Sequence, residues 1–402
     1  MAGYMMLDGN EAAVQAMKMA KVKVISAYPI TPQSSIAEKL SDLVSDGILK
    51  AKYLRVESEH SAMSAAIGAQ LTGVRAATAT SSVGLALMHE VLNVASGCRV
   101  PIVMPVVNRA LVSPWSLWCD HQDSMAERDS GWLQLYCENV QEVFDFVTMG
   151  YRIAEHEDVL TPIMVCLDGF FLSHSMQKVL IPEQSEVDEF IGDYIIKNTY
   201  LDPTDPMIIN NLTSPDEFTE MRYQQKVGFE NAAKVMDEVF LEFEEKFGRA
   251  YRAVEGYRLG DAEAVIVSMG SMSGTVKHVV NMLRSEGKKV GALKIVSFRP
   301  FRNDLVNEML KGIKRIAVID RTAGLGSQGT PLWHEVCNSI DKASSDVIVK
   351  NYVGGLGGRD ISIETIKKVF ADIMDDHSQN RSPVWIDVKE NAMDIRQVYI
   401  NV

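Results

Sequence analysis

Polar segments that could do chemistry follow the short apolar runs in the N-terminal half of the chain. Glu59, in Val56-Glu57-Ser58-Glu59-His60, leads into Ser61-Ala62-Met63-Ser64-Ala65-Ala66-Ile67-Gly68-Ala69. Such small residues let another chain or a flat ring approach, and a carboxylate beside them would be partly desolvated, with its pKa raised. An ordinary acid in a helix first turn, favoured by the macrodipole, explains Glu59 equally well. Arg109 ends the apolar run 101–107. A guanidinium there is costly unless it meets an anion, and its planar fork suits a carboxylate. A structural salt bridge to Asp120, Asp123 or Glu127 is the competing reading.

Thr31 stands in Tyr28-Pro29-Ile30-Thr31-Pro32, where the prolines fix φ and could aim one hydroxyl. Local sequence alone favours a helix N-terminus with Pro32 near its first turn. Ser81-Ser82-Val83-Gly84 reads as a cap, with a ligand contact through Ser82 as the alternative. Trp115, Leu117 and Trp118 could wall an apolar pocket beside Arg109 or simply pack in a core. His121, in Asp120-His121-Gln122-Asp123, invites a metal reading. Ligands so tightly spaced give one ion poor geometry, and no metal is expected. The turns at 270–274 and 354–360 fit neither G-x-G-x-x-G nor a P-loop and read as tight turns.

The elements that must position these groups alternate between strand-like and helix-like runs. Strands are expected at 22–27, 53–56, 75–80, 101–107 and 162–167, with helices at 34–43, 61–71 and 84–95 between them. Such alternation means βαβ units and a parallel sheet, whose ligands collect beyond the carboxyl ends of the strands. A polar connector over 182–214, interrupted by prolines, precedes a long charged helix at 217–247 that reads as solvated. A second α/β unit begins near Asp261, with strands at 264–269, 290–296, 316–319, 347–349 and 384–388 and a helix at 275–285. The expected fold class is α/β: a parallel-sheet domain over 1–250 and a smaller α/β domain over 258–402.

The totals narrow the function. The chain has 402 residues, 47% hydrophobic and 23% charged, the balance of a soluble globular protein of more than one domain. A net charge of −13 excludes the basic stripe that nucleic-acid binders need. No apolar stretch is long enough to span a bilayer, and no signal peptide is legible, so a cytoplasmic location is expected. Five cysteines without C-x-x-C spacing make neither a disulfide framework nor an iron–sulfur site.

Taken in order, six segments carry a resemblance. They are Asp8-Gly9-Asn10-Glu11-Ala12-Ala13, Tyr28-Pro29-Ile30-Thr31-Pro32, Glu57-Ser58-Glu59-His60, Asn108-Arg109-Ala110-Leu111, Asp120-His121-Gln122-Asp123 and Arg128-Asp129-Ser130-Gly131-Trp132. The series resembles the α subunit of the pyruvate:ferredoxin oxidoreductase (2-oxoacid:acceptor oxidoreductase) family. Phe298-Arg299-Pro300-Phe301 and Gly357-Gly358-Arg359-Asp360 extend it into the second unit, which by resemblance is like the transketolase C-terminal domain.

The resemblance implies a thiamine diphosphate enzyme whose pyrimidine-binding domain is the first one. Glu59 would hydrogen-bond the pyrimidine N1′, favouring the imino tautomer that removes the thiazolium proton; Pro29 and Ser82 would line the cofactor. Arg109 would hold the substrate carboxylate, Thr31 would hydrogen-bond substrate, and Trp115, Leu117 and Asp120 would line the substrate pocket. The chain has no Gly-Asp-Gly followed by the Asn pair that would hold Mg²⁺ and diphosphate, since Asn210-Asn211 is not preceded by one, and it lacks cysteine clusters. A β subunit would therefore carry the diphosphate module, and γ- and δ-type subunits the [4Fe-4S] clusters feeding ferredoxin. The implied reaction is coenzyme A-dependent oxidative decarboxylation of pyruvate, with a branched-chain 2-oxo acid or phenylglyoxylate as alternatives. Two other classes compete. A non-catalytic subunit would not need Glu59 and Arg109 together, and a nicotinamide dehydrogenase would need G-x-G-x-x-G.

Overall fold

A computed structural model describes residues 3–196, 199–340, 346–375, 382–389 and 392. Two sheets organise the chain. The first has seven strands in the order Ser297–Arg299, Leu133–Tyr136, Ile163–Asp168, Val103–Asn108, Ala76–Ala77, Val24–Ala27, Lys52–Arg55. All its pairings are parallel except that of Ser297–Arg299 with Leu133–Tyr136. Val103–Asn108 and Ile163–Asp168 are buried at every position, as strands covered on both faces must be. The second sheet has six strands, Val384–Trp385, Ile348–Val353, Arg315–Asp320, Ala264–Ser268, Val290–Ile295 and Val254–Tyr257, with only the last antiparallel. Gly3–Leu7 and Gln177–Ile181 form a separate antiparallel pair.

The helices that feed the site begin where the sequence supplies caps. Asp8 and Glu11 form a capping box at the start of Gly9–Met19, and the Ser58 side chain accepts from the Ser61 amide at the start of Glu59–Gln70. Three expectations are corrected. The helix expected at 84–95 is two, Ser82–Leu87 and His89–Gly97, broken at Met88. The connector contains a capped helix, Gln184–Ile191. The long helix, Pro215–Phe247, is solvated only in its first half; Val235, Met236, Val239, Phe240 and Phe243 are buried. They pack against Val140–Ala154, a helix for which the sequence reading made no provision. Each such aromatic or aliphatic side chain contributes roughly 1.5–3 kcal/mol by leaving water. Most of the polar tail expected after 388 lies outside the described residues.

The two sheets are locked together. Beyond the Ser297–Arg299 strand, the Lys294 ammonium is buried against Glu142 at 2.6 Å, Glu138 at 3.0 Å and Glu255 at 3.3 Å. Arg302 reaches back to Asp237 on the long helix at 2.6 Å. Among the described residues, no helix is long and apolar enough to cross a membrane.

Candidate active site

The side chains singled out by the sequence lie beyond the carboxyl ends of the first sheet's strands. Glu59 is the first residue of its helix and is only 6% exposed. No described residue gives its carboxylate a hydrogen bond or an ion pair. The wall beside it is the Ser82–Leu87 helix: a Cβ on Gly84 would lie 2.6 Å from both Glu59 Oε1 and Thr80 Oγ1, so no side chain fits there. The hydroxyls of Thr80 and Ser81 are buried and also without partners. Unpartnered polar atoms in one place mark a surface completed by a ligand or another chain.

Arg109 follows the strand Val103–Asn108 and is 5% exposed. Its Nε donates to the Ser116 carbonyl at 3.1 Å and its Nη1 to the Thr31 carbonyl at 2.9 Å. The structure thus brings Arg109 and Thr31 together, with the Thr31 hydroxyl on an exposed residue. The salt bridge of the competing reading does not form: no described carboxylate pairs with the guanidinium. Burial lowers the guanidinium pKa, and the Asp123 charge partly restores it. No described residue accepts a hydrogen bond from the remaining guanidinium nitrogen.

Asp123 ties these parts together. It is fully buried, and burial pushes its carboxyl up to about 6 against amide and side-chain N–H donors that pull it down. Ser82, expected to touch the cofactor, is fully buried; its amide donates to Asp123 Oδ2 at 2.9 Å and its hydroxyl to the Ala110 carbonyl at 2.6 Å. Its side chain therefore holds the Arg109–Ala110 segment. Pro29 is exposed on its loop.

The residues expected to wall the pocket differ in exposure. Trp115 is 76% exposed, Trp118 is also open, and Leu117 is half-buried. Trp118 packs on Phe170, with ring centroids 5.9 Å apart, and against Gly358, whose missing side chain makes room for it. Asp120 is buried and accepts from Gln122 and, at 3.3 Å, from the Gly357 amide; burial raises its pKa. The Gly357-Gly358-Arg359-Asp360 segment is thus a tight turn that braces the tryptophan loop. Gly357 and Gly358 have φ of 57° and 79°, which glycine adopts freely.

Behind this loop, His121 Nε2 meets Asp168 Oδ1 at 2.7 Å. Cys119, His121 and Asp168 place donor atoms within 4.8 Å of one another, a convergence that the 120–123 spacing could not reveal because Asp168 comes from another strand. Ser271 of the second unit donates both its amide and its hydroxyl to Asp168, and the His121 amide donates to the Arg321 carbonyl. Although burial opposes it, the charges of His121 and Arg321 hold the Asp168 carboxyl well below the usual carboxylate range.

The chain is similar to known proteins in sequence and in fold. The family described as pyruvate flavodoxin/ferredoxin oxidoreductase, thiamine diphosphate-binding, matches residues 15–241, and the pyruvate:ferredoxin oxidoreductase core domain II matches 262–366. A pyruvate synthase subunit PorA from Methanocaldococcus jannaschii is 49% identical over 96% of this chain and 98% of its own length. A ketoisovalerate oxidoreductase subunit VorA from Pyrococcus abyssi is 42% identical over 95% and 97%. The 2-oxoglutarate:ferredoxin oxidoreductase of Magnetococcus marinus shares the fold with a TM-score of 0.73 at 22% identity, over 92% of this chain and 65% of that one. A split-gene transketolase matches at TM-score 0.54 and 15% identity, over 91% of this chain and 98% of that one. The chain belongs to the pyruvate:ferredoxin oxidoreductase family.

Proposed function

We propose that the chain is the α-type subunit of a pyruvate:ferredoxin oxidoreductase and holds the pyrimidine half of thiamine diphosphate. The observation that carries this reading is the Glu59 carboxylate, nearly buried, without a partner and walled by Gly84. A buried charge without a partner is costly, and a ring nitrogen that shares a proton with it removes that cost. The residues present fit the group: Glu59 would hold the proton at the pyrimidine nitrogen, in a wall too narrow for a side chain at Gly84. When bound, the coenzyme supplies a nucleophilic carbon and an electron sink for a 2-oxo acid. Arg109 would grip the substrate carboxylate with the part of its fork that Ser116 and Thr31 leave open. The Thr31 hydroxyl would hydrogen-bond the substrate. Trp115 and Leu117 would close over its side chain once a partner covers them.

The rest of the reaction belongs to partners in this reading. A β subunit would bring Mg²⁺ and the diphosphate module. γ- and δ-type subunits would bring the [4Fe-4S] clusters, with coenzyme A as acyl acceptor and ferredoxin as electron acceptor. The scattered, free cysteines of this chain support that division and a reducing, cytoplasmic setting. A branched-chain 2-oxo acid is the second reading, favoured by the 42% identity to a ketoisovalerate oxidoreductase subunit. Purification of the assembled complex, metal and thiamine analysis, and dye reduction with pyruvate, 2-oxoisovalerate and phenylglyoxylate test all of this. Pyruvate giving the highest kcat/KM supports the first reading; no thiamine and no activity with any 2-oxo acid refutes it.

A further inference from the structure

We propose that Asp123 is a positioning residue that fixes Arg109 relative to the Ser82–Gly84 turn packed on Glu59. The inference rests on the reading of Glu59 as coenzyme-facing and Arg109 as substrate-facing.

The carboxylate of Asp123 accepts four N–H bonds from three separate segments. Oδ1 takes the Asn108 amide side chain at 2.8 Å and the Ser124 backbone at 2.8 Å. Oδ2 takes the Ser82 backbone at 2.9 Å and the Arg109 backbone at 3.0 Å. Two donors on each oxygen leave no room for a proton, and a side-chain amide in its place would turn an NH₂ group towards two N–H donors. Ser82 has a φ of 52°, which a residue with a Cβ adopts only when its surroundings hold it there. What holds it is the Asp123 bond at its amide and the Ala110 carbonyl at its hydroxyl. Gly84, two residues on, closes against Glu59. One buried carboxylate therefore links the turn that walls Glu59 to the backbone from which Arg109 projects.

The same arrangement keeps Arg109 available. The Asp123 oxygens bond backbone and amide N–H groups, so its charge reaches the guanidinium only through space and no described carboxylate pairs with it. Asp123 thus anchors Arg109 without neutralising it. Misplacing a substrate-holding group by about 1 Å can cost up to 10²-fold in rate.

The test is a two-by-two series in the assembled complex, Asp123→Asn, Arg109→Ala and the double variant, with dye reduction across a 2-oxo acid titration. Asp123→Asn is expected to raise KM about tenfold, with a smaller change in kcat. The double variant is expected to have the KM of Arg109→Ala alone, because positioning an absent side chain has no value. A merely structural role would multiply the two effects. An Asp123→Asn KM within twofold of wild type, or multiplying effects, overturns the proposal. If Arg109→Ala leaves KM unchanged, the parent reading of the site fails, and this one with it. Should Asp123→Asn not assemble, Ser82→Ala cuts the hydroxyl link to Ala110 while leaving Asp123 in place. A severalfold KM rise that is absent on the Arg109→Ala background supports the proposal; an unchanged KM overturns it.

Discussion

Replacing Glu59 with Gln should make the isolated chain more stable while destroying turnover of the complex. The carboxylate is 6% exposed, and no described residue offers it a hydrogen bond or an ion pair. Leaving a buried polar group unsatisfied costs about 1–3 kcal/mol, more for a charged one. The Glu59 oxygens retain slight solvent contact, so the lower end applies. A neutral amide of the same shape is desolvated more cheaply, and the variant should gain about 1 kcal/mol. In a chain of this size that is a rise of roughly 1–2 °C in Tm, scaled from smaller domains. Turnover should fall by about 10²–10⁴, the range typical of a lost proton-transfer partner. Differential scanning of the isolated chain and dye reduction by the assembled complex measure the two sides. A Tm lowered by several degrees would mean that the carboxylate has a stabilising partner, and wild-type turnover would mean that it does no chemistry.

Lys294→Met should destabilise the chain by about 3–5 kcal/mol, since it leaves the Glu138, Glu142 and Glu255 carboxylates facing one another with only Lys277 nearby. Adding Glu142→Gln should recover part of that loss in urea melts; no recovery would mean that the ammonium acts through packing alone. Gly84→Ala should abolish turnover and lower stability by about 1–3 kcal/mol, because its Cβ would lie 2.6 Å from Glu59 Oε1; full activity would show that the wall yields. The Asp168 carboxyl is held below its ordinary value, so the stability it contributes is present above about pH 4, its unfolded pKa, and is lost as pH falls further. Asp168→Asn should therefore flatten the acid limb of the stability profile below pH 4, and an unchanged limb would remove Asp168 from acid unfolding.

The first sheet and the order of its strands' loops were legible because buried parallel strands are continuous apolar runs and the groups of interest follow them. Glu59, Arg109 and Thr31 stand out as candidates for that reason. Nothing in the sequence marks Asp123 as an anchor, since three of its four partners, Ser82, Asn108 and Arg109, come from segments distant in sequence. The helix Val140–Ala154 carries a readable signal, Asn139 as cap and Val140, Val143, Phe144, Val147 and Tyr151 at helical spacing, although its polar Glu142, Asp145 and Thr148 are buried as well; the four-residue strand Leu133–Tyr136 is too short to show a period. Trp115, expected as a pocket wall, is exposed on this chain. An aromatic residue type in a sequence does not say whether its own chain covers it.

The strand Ser297–Arg299 has a further consequence for how this polypeptide can be divided. It caps the flank of Leu133–Tyr136, while the opposite flank, Lys52–Arg55, carries charged residues that discourage pairing with a stray strand. Cutting the chain near residue 250 would bare a row of hydrogen-bonding groups on an apolar, fully buried strand. The amino-terminal piece would then tend to stick to itself, so the second unit serves the first as its edge cover.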